Sequence, residues 1–370
     1  MKENLSLTFF LHHIPWIYKE HQNSSKLSGR SREQIVLEGK MMKKRFLGKT
    51  GLEVSELGLG GLFISSIGAE YEQAKKAVFR ALELGVNYFD TAPTYANSEE
   101  VLGNVLEDVS APIILSTKLG GRPPPFKPQD KDCLMKSVKE SLQLLKRDYI
   151  DILMIHEPDR PLQYNWWSDP DNYYGPVMDV LRELKENGVI GFTGLGGTTA
   201  YELANIIRTC RFDVVLTAFN YSLLWREAEL EILPAAKEQN MGIIIGSPLQ
   251  QGGLACRYDE KIRTNRWLSK PRREQLITLY SFLDELDMPL SELGLRFVIS
   301  NPDISCTLMG ARSQREVEQN VASIEKGPLP KKVLRRLNEI YAMVPFRPYE
   351  EHCTLGFLRG QYKGPGNHVI

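Results

Sequence analysis

A repeated alternation of two kinds of segment constrains this chain more than any other feature. Between residues 44 and 345, short apolar segments alternate with longer amphipathic ones. Short apolar runs bounded by turn residues are typical of buried strands, and apolar positions spaced by three and four residues are typical of helices. The pattern predicts eight strands, at residues 57–61, 87–90, 113–118, 150–156, 191–194, 214–217, 242–247 and 305–309.

Amphipathic segments in the intervals predict the helices. One of them stops at Gly85 and another is followed by Asn187 and Gly188, residue types that terminate helices. Eight strands that each precede a helix are the count of a (β/α)8 TIM barrel, so we expect an α/β fold of this kind in a single domain. The clearest helical segments are residues 71–84, 131–145, 177–185, 227–238 and 272–286.

An open, doubly wound sheet is the alternative α/β architecture. Such sheets usually carry the glycine fingerprint G-x-G-x-x-G after a strand. The chain has two GLGG sequences, at residues 58–61 and 194–197, but Phe63 and Thr199 stand where the third glycine belongs. The dinucleotide fingerprint is therefore absent, which favours the barrel.

The two ends of the chain lack this repeat. Residues 1–41 are predicted to be a flexible N-terminal extension, 42–345 the barrel, and 346–370 a C-terminal tail. The apolar run at residues 5–18 contains His12, His13 and Pro15, and no small-residue cleavage site follows it, so we do not expect a signal peptide.

Charge and cysteine content narrow the class of protein. The 370 residues include 46 Lys and Arg and 46 Asp and Glu, a formal net charge of zero. A nucleic-acid-binding protein would need a basic surface, and an anionic membrane would need a basic cluster, so neither partner is expected. Five widely spaced cysteines without a C-x-x-C pair are typical of reduced thiols, which fits a cytoplasmic protein without a metal site.

Polar side chains end three consecutive predicted strands. Asp90, Lys118 and His156 are the last residues of the second, third and fourth strands, and Tyr95 follows five residues after Asp90. In a barrel of this type the carboxyl ends of the strands form the catalytic face. We therefore expect these four side chains to converge there.

The four residue types fit proton transfer at a carbonyl or alcohol. A free tyrosine titrates near ~10, and a neighbouring ammonium lowers that value. Lys118 would therefore activate Tyr95 as the acid–base, Asp90 would hold Lys118, and His156 would orient the reacting oxygen. This chemistry needs a hydride carrier, so we expect a nicotinamide cofactor. No H-E-x-x-H or G-x-S-x-G motif points to metal or serine chemistry.

Several segments, in order, resemble the aldo-keto reductase family. They are FLGKTGLEVSELGLGG, NYFDTAPTYANSEEVLG, ILSTKLG, DILMIHEPD, GSPLQQGGL and GARSQREVEQN, which together extend over the predicted barrel. The resemblance implies that Tyr95 is the acid–base, that Lys118 and Asp90 tune it, and that His156 positions the substrate. It also implies a set of cofactor-binding residues: Gly60, Gly61, Leu62, Tyr221, Ser247, Pro248, Leu249, Arg312, Glu316, Gln319 and Asn320. Among these, Tyr221 would stack on the nicotinamide ring.

The chain departs from the family pattern at the cofactor. Gly196 and Gly197 stand where Ser-Asn usually binds the carboxamide, and the sixth strand lacks the usual Gln, for which Thr217 or Asn220 could substitute. Glu316 stands where Gln or Arg is common. An acidic group there accepts from a ribose 2′-hydroxyl and repels a 2′-phosphate. The nearby arginines, Arg312 and Arg315, favour the phosphate, so NAD or NADP is left open.

The loops resemble the sugar-oxidising branch, which includes L-galactose, L-fucose and D-threo-aldose dehydrogenases. A small-molecule substrate is expected, a sugar or an aldehyde, and the activity would be that of an aldose 1-dehydrogenase. A general NADPH-dependent aldehyde or ketone reductase and a cofactor-binding regulatory subunit with little turnover are the alternatives. Aromatic residues of the long loop after His156 and of a later loop would form a substrate-binding wall, or else a packed lid: Trp166, Trp167 and Trp225. The sequence does not indicate an oligomeric state.

Overall fold

A computed structural model describes residues 42–265 and 268–345 of the chain. The predicted extension at 1–41 and the predicted tail at 346–370 lie outside the described residues. Both boundaries of the domain division therefore stay predictions.

Eight parallel strands close into a barrel, which confirms the predicted (β/α)8 fold. Each strand pairs with its neighbour in the chain, and β10 closes the ring by pairing with both β3 and β9. The barrel strands are β3 (Leu57–Gly60), β4 (Tyr88–Asp90), β5 (Ile114–Leu119), β6 (Ile150–His156), β7 (Ile190–Gly197), β8 (Val214–Ala218), β9 (Gly242–Gly246) and β10 (Cys306–Met309).

A short antiparallel hairpin precedes the barrel and covers its amino-terminal end. Its strands are β1 (Lys44–Phe46) and β2 (Glu53–Ser55). Leu47, in the connection, belongs to the apolar cluster that fills the barrel interior. Gly48 follows it with φ of +52°, and a Cβ on it would lie 2.3 Å from the backbone nitrogen of Gly242. Only glycine fits both the left-handed conformation and this close approach.

Helices surround the barrel, and capping side chains start several of them. Asp130 accepts from the backbone N–H of Cys133 at the start of α3, and Ser313 accepts from that of Glu316 at the start of α10. The helices are α1 (Tyr71–Glu83), α2 (Ser98–Leu106), α3 (Lys131–Leu145), α4 (Pro176–Glu186), α5 (Tyr201–Ile207), α6 (Ile232–Glu238), α7 (Asp259–Thr264), α8 (Lys270–Leu286), α9 (Leu290–Ile299), α10 (Gln314–Glu325) and α11 (Lys331–Ala342).

One predicted helix is broken in the structure. The segment 227–238 divides into a 3-10 turn at Glu227–Glu229 and α6, which begins at Ile232. Pro234 explains the break, because proline lacks the N–H that a helix interior needs and is tolerated only in the first turn. The prediction of one continuous helix was wrong.

The strand register brings the polar strand ends to one rim of the barrel. Asp90 pairs with Ser116 across β4 and β5, Lys118 with Met154 across β5 and β6, and His156 with Gly196 across β6 and β7. Parallel strands place their carboxyl ends at the same edge, so this rim carries the candidate site. In the part of the chain that the structure describes, no helix has the length and apolar character needed to cross a bilayer.

Candidate active site

A buried ion pair lies at the centre of the site. The Nζ atom of Lys118 donates to Asp90 Oδ2 at 2.7 Å and to the backbone carbonyl of Thr91 at 2.8 Å. Both charged residues are only 2% exposed. Asp90 Oδ1 accepts from the hydroxyl of Ser116 at 2.7 Å, so each carboxylate oxygen has its own donor. A buried charge is tolerated when it is paired and hydrogen-bonded in this way.

Tyr95 lies over this ion pair. The Lys118 Nζ atom is 4.9 Å from the centroid of the Tyr95 ring, and the ring meets that of His156 edge-on at 5.9 Å. Burial of the phenol, with the charges of Asp90 and Glu157, raises the pKa of Tyr95 well above its ordinary value. The expectation of a lowered pKa was wrong, because burial and the two nearby carboxylates disfavour the phenolate. In this site Tyr95 is a neutral phenol that holds its proton.

His156 is a buried, neutral imidazole. Burial and the charge of Lys118 lower its pKa to about 3. Its Nδ1 atom lies 3.5 Å from the hydroxyl of Thr94, and its backbone carbonyl accepts from the indole N–H of Trp166 at 2.9 Å. A neutral imidazole offers one N–H donor, so His156 is able to orient an oxygen without carrying charge.

Sequence reasoning missed Glu157, which directly follows His156. This residue is 9% exposed and has φ of +50°, and its carboxylate accepts from the hydroxyl of Thr198 at 2.7 Å. Burial and the charge of Asp159 raise the pKa of Glu157 to about 7, while Thr198, Arg160 and Lys118 act in the opposite direction. The only sequence signal was an acidic residue directly after a strand-end histidine.

The raised pKa predicts that Glu157 makes stability depend on pH. Between its ordinary value of 4.5 and about 7, the folded protein keeps a proton that the unfolded chain has lost. Stability from this group is therefore complete below pH 4.5 and is lost as the pH rises through 7, by at most about 1.4 kcal/mol per pH unit. Denaturant unfolding at pH 5, 6 and 7 should show wild type losing stability relative to Glu157→Gln as pH rises.

The matched control for this experiment is Glu260→Gln, which changes an exposed carboxylate on α7. Its pH dependence should follow that of wild type. Parallel curves for wild type and Glu157→Gln would show that Glu157 titrates as an ordinary carboxylate.

A cavity of about 670 Å³ opens beside Tyr95 and extends to the start of α10. Asp90 and Tyr95 line its inner end, and Tyr258 and Gln251 line it from the loop after β9. Sequence reasoning missed Phe63, which also lines the cavity. The guanidinium of Arg312 lies over the Phe63 ring, 5.0 Å from its centroid. Nine of the eleven predicted cofactor residues line this cavity: Gly60, Leu62, Ser247, Pro248, Leu249, Arg312, Glu316, Gln319 and Asn320.

Gly61 and Tyr221 do not line it. Gly61 donates its N–H to the carbonyl of Asp90 at 2.6 Å and is buried behind the wall. Tyr221 is 3% exposed, stacks on Phe297 with ring centroids 5.4 Å apart, and accepts at its hydroxyl from Asn301. Tyr221 therefore packs in the hydrophobic core in this structure, and its stacking on a nicotinamide stays a prediction.

The three predicted substrate-wall tryptophans are also buried, and that prediction was wrong. Trp166 and Trp167 are 0% and 7% exposed. Their indole N–H groups donate to the backbone carbonyls of His156 and Pro158, at 2.9 and 3.0 Å. Trp225 is 1% exposed and packs against the guanidinium of Arg272 at 4.9 Å. The loop after His156 therefore uses its tryptophans to fasten itself to the strand end.

The two glycines at the end of β7, Gly196 and Gly197, leave no room for a side chain. A Cβ on Gly196 would lie 3.3 Å from Cε of Lys118, and one on Gly197 would lie 2.7 Å from Oδ1 of Asp159. Thr217 and Asn220, the two residues predicted to substitute for the usual Gln of the sixth strand, do not line the cavity. Thr217 is fully buried, and the amide of Asn220 donates to Thr217 and to the carbonyl of Thr198.

Glu316 lies where the cavity meets the start of α10. Its carboxylate accepts from the backbone N–H of Arg312 at 2.7 Å, and its own N–H donates to the Ser313 hydroxyl at 3.3 Å. This reciprocal cap places a negative charge at a helix start that would otherwise attract an anion.

Barrel and site together define an oxidoreductase that transfers hydride with a nicotinamide cofactor. A model of the aldo/keto reductase family matches residues 56–342, and the chain belongs to that family. It is thus an NAD(P)-dependent oxidoreductase.

Three similar proteins illustrate the range of relatives. L-galactose dehydrogenase of Arabidopsis thaliana is 29% identical over 76% of this chain and 87% of its own length. A probable voltage-gated potassium channel subunit beta of the same plant is 27% identical over 83% and 99%. The solved holo form of an aldo-keto reductase from Bacillus halodurans is 27% identical, has a TM-score of 0.66, and is matched over 84% of this chain and 100% of its own.

Proposed function

We propose that this protein interconverts an alcohol or hemiacetal with a carbonyl, and that its substrate is an aldose or a related small molecule. The observation that carries the proposal is the cluster of Asp90, Tyr95, Lys118 and His156 at the inner end of a large cavity. One proton donor, one buried ion pair and one neutral hydrogen-bond donor are the groups that this chemistry requires.

The cavity fits an extended dinucleotide. Its volume of about 670 Å³ is in the range of cofactor sites. Its walls change from the acid–base cluster at one end, through Ser247 and Leu249, to Arg312 and Asn320 at the other. When bound, the nicotinamide cofactor supplies or accepts the hydride.

The chain's own residues would handle the proton. In the reductive direction the Tyr95 hydroxyl donates its proton to the carbonyl oxygen. In the oxidative direction Tyr95 must first release its proton to solvent, and the resulting phenolate oxygen then accepts the proton of the substrate hydroxyl. The Lys118 ammonium, held by Asp90, stabilises the negative charge that develops on the Tyr95 oxygen. A donor from the neutral imidazole of His156 orients the substrate oxygen. Trp166 fixes the backbone of His156, which keeps that donor in place.

Similarity to L-galactose dehydrogenase supports an aldose as substrate. With NAD and NADP supplied separately, a panel of aldoses should reduce the cofactor, and simple aldehydes with the reduced cofactor should be weaker substrates. Turnover of simple aldehydes and ketones with NADPH, without oxidation of any aldose, would favour the general reductase instead. We expect the protein to be cytoplasmic, because the four cysteines in the described residues are free thiols, which are typical of a reducing compartment.

We propose NAD(H) as the preferred cofactor, because the Glu316 carboxylate occupies the helix start nearest to Arg312. Wild type should bind NADH about tenfold or more tightly than NADPH, a gap of ~1.4 kcal/mol. Glu316→Gln keeps an acceptor for the Arg312 N–H but removes the charge, so it should narrow that gap. Quenching of protein fluorescence by each cofactor measures both affinities.

Glu318→Gln is the control, since Glu318 lies on the same helix but bonds Arg80 and Gln314. It should leave the ratio of the two affinities unchanged. An equal ratio in wild type and Glu316→Gln would show that this carboxylate does not select the cofactor.

A cofactor-binding regulatory subunit is the second candidate, favoured by the match to nearly the whole length of a channel subunit beta. It predicts tight cofactor binding with no turnover of any carbonyl or sugar in the panel. The intact acid–base cluster favours the enzyme.

A further inference from the structure

A hydrogen-bond chain continues from the acid–base cluster into the barrel interior. Tyr88, on β4, is fully buried among the apolar side chains that fill the barrel, including Ile114 and Ile152. Its hydroxyl donates to the Ser116 hydroxyl on β5 at 2.8 Å. A buried hydroxyl in an apolar interior costs free energy unless it is hydrogen-bonded, so this contact is the reason that a tyrosine is tolerated there.

Ser116 connects Tyr88 to the ion pair. The Ser116 hydroxyl donates to Asp90 Oδ1 at 2.7 Å, and its other nearby acceptor, the carbonyl of Phe89, is more distant at 3.5 Å. The Ser116 oxygen accepts a hydrogen bond from the Tyr88 hydroxyl. The hydroxyl hydrogen of Ser116 therefore points away from Tyr88 and toward the Asp90 carboxylate. Asp90 Oδ2 is then left for Lys118.

The hydroxyl groups of Tyr88 and Ser116 each donate one hydrogen bond in the direction of Asp90. Burial and the charge of Asp90 raise the pKa of Tyr88, so it remains a neutral donor. Tyr88, Tyr95 and Cys306 are the titratable groups that respond to the charge of Asp90, in addition to its partner Lys118. None of these neighbours except Lys118 is positively charged. The hydroxyl chain is therefore the second support of the Asp90 anion.

We propose that Tyr88 and Ser116 are positioning residues for the reaction: they fix the carboxylate of Asp90, and through it the Lys118 ammonium beneath Tyr95. They touch neither the cavity nor the substrate and act through Asp90. The inference rests on the proposed function of the site.

The test compares Tyr88→Phe, Ser116→Ala and the double variant with wild type. Removing the Ser116 hydroxyl takes one donor from Asp90 Oδ1, so the carboxylate and the Lys118 ammonium that it holds are less firmly placed beneath Tyr95. We expect kcat to fall about tenfold in Ser116→Ala and less in Tyr88→Phe. KM for the cofactor should not change. Because the residues form one chain, the double variant should equal Ser116→Ala.

A second readout needs neither cofactor nor turnover. Carbon NMR of protein labelled at the aspartate carboxyl carbon follows the Asp90 signal, assigned by its loss in Asp90→Asn. Its chemical shift should change in both single variants, because each loses part of the hydrogen-bond chain to Asp90, and Ser116→Thr, which keeps the hydroxyl, should restore it. Tyr341→Phe is the matched control, because its hydroxyl bonds the Pro345 carbonyl on the far side of the protein.

Three outcomes would overturn the inference: an unchanged Asp90 signal, an unchanged kcat in Ser116→Ala, or losses that add in the double variant. Absence of turnover in wild type would count against the proposed function alone. The Asp90 signal would still test the hydrogen bonds from Tyr88 and Ser116 to that carboxylate. If a variant unfolds, Ser116→Thr and Tyr88→Phe at lower temperature give the same comparison.

Discussion

Tyr95→Phe is expected to abolish turnover while leaving the cofactor bound. General acid–base catalysis contributes about 10²–10⁴-fold to a rate, and Phe removes the hydroxyl proton that Tyr95 would transfer to the substrate oxygen. The ring remains, so its contacts with Lys118 and His156 are kept. The measurement is kcat for the best substrate of the panel, together with the cofactor affinity from fluorescence.

Tyr173→Phe is the matched control, because it removes a half-buried hydroxyl that donates to Glu202, away from the acid–base cluster. It should leave kcat within about twofold of wild type, as expected for a substitution outside the site. A Tyr95→Phe variant with wild-type kcat would contradict the assigned acid–base.

Lys118→Met should have the largest effect on stability. It leaves the Asp90 carboxylate buried without its cation, and breaking a buried pair from one side costs about 3–5 kcal/mol. Met retains most of the volume of the lysine stem, which packs against Gly196. Urea unfolding should therefore report a large decrease in the free energy of unfolding, and turnover should be lost with it.

The double variant Lys118→Met, Asp90→Asn separates charge from packing. It removes both charges, so it should regain a large part of the stability that Lys118→Met loses. Lys146→Met is the control, since its pairing with Glu107 is exposed and such pairs contribute about 0–1 kcal/mol. A single variant as stable as wild type, or a double variant no more stable than the single, would contradict the account of this ion pair.

The barrel was predictable from sequence because its signals are local. The strand predicted at residues 150–156 is the observed β6, and α3 begins and ends at the predicted residues. A buried strand and an amphipathic helix each show their pattern within one short segment. The same strand pattern predicted that Asp90, Lys118 and His156 cluster, because each lies at the carboxyl end of a parallel strand.

The parts that failed depend on contacts between distant segments. An aromatic residue in a loop gives the same sequence pattern whether its side chain faces a cavity or the core. For Trp166, the hydrogen bond to the His156 carbonyl directs the side chain into the core. The burial of Tyr221, in the loop after β8, likewise depends on Phe297, which lies on α9 much later in the chain. The pKa of Tyr95 depends on how deeply the phenol is buried and on its distance from Asp90 and Glu157, which only the geometry reveals.

The most direct test of the central claim is transfer of deuterium from the cofactor to the substrate carbon. NADH labelled with deuterium at the transferred position of the ring is mixed with the protein and the carbonyl form of its best substrate, and the alcohol is examined by mass spectrometry. The account predicts one deuterium on the former carbonyl carbon of each product molecule. Product without deuterium, or cofactor that binds without any product, would contradict it.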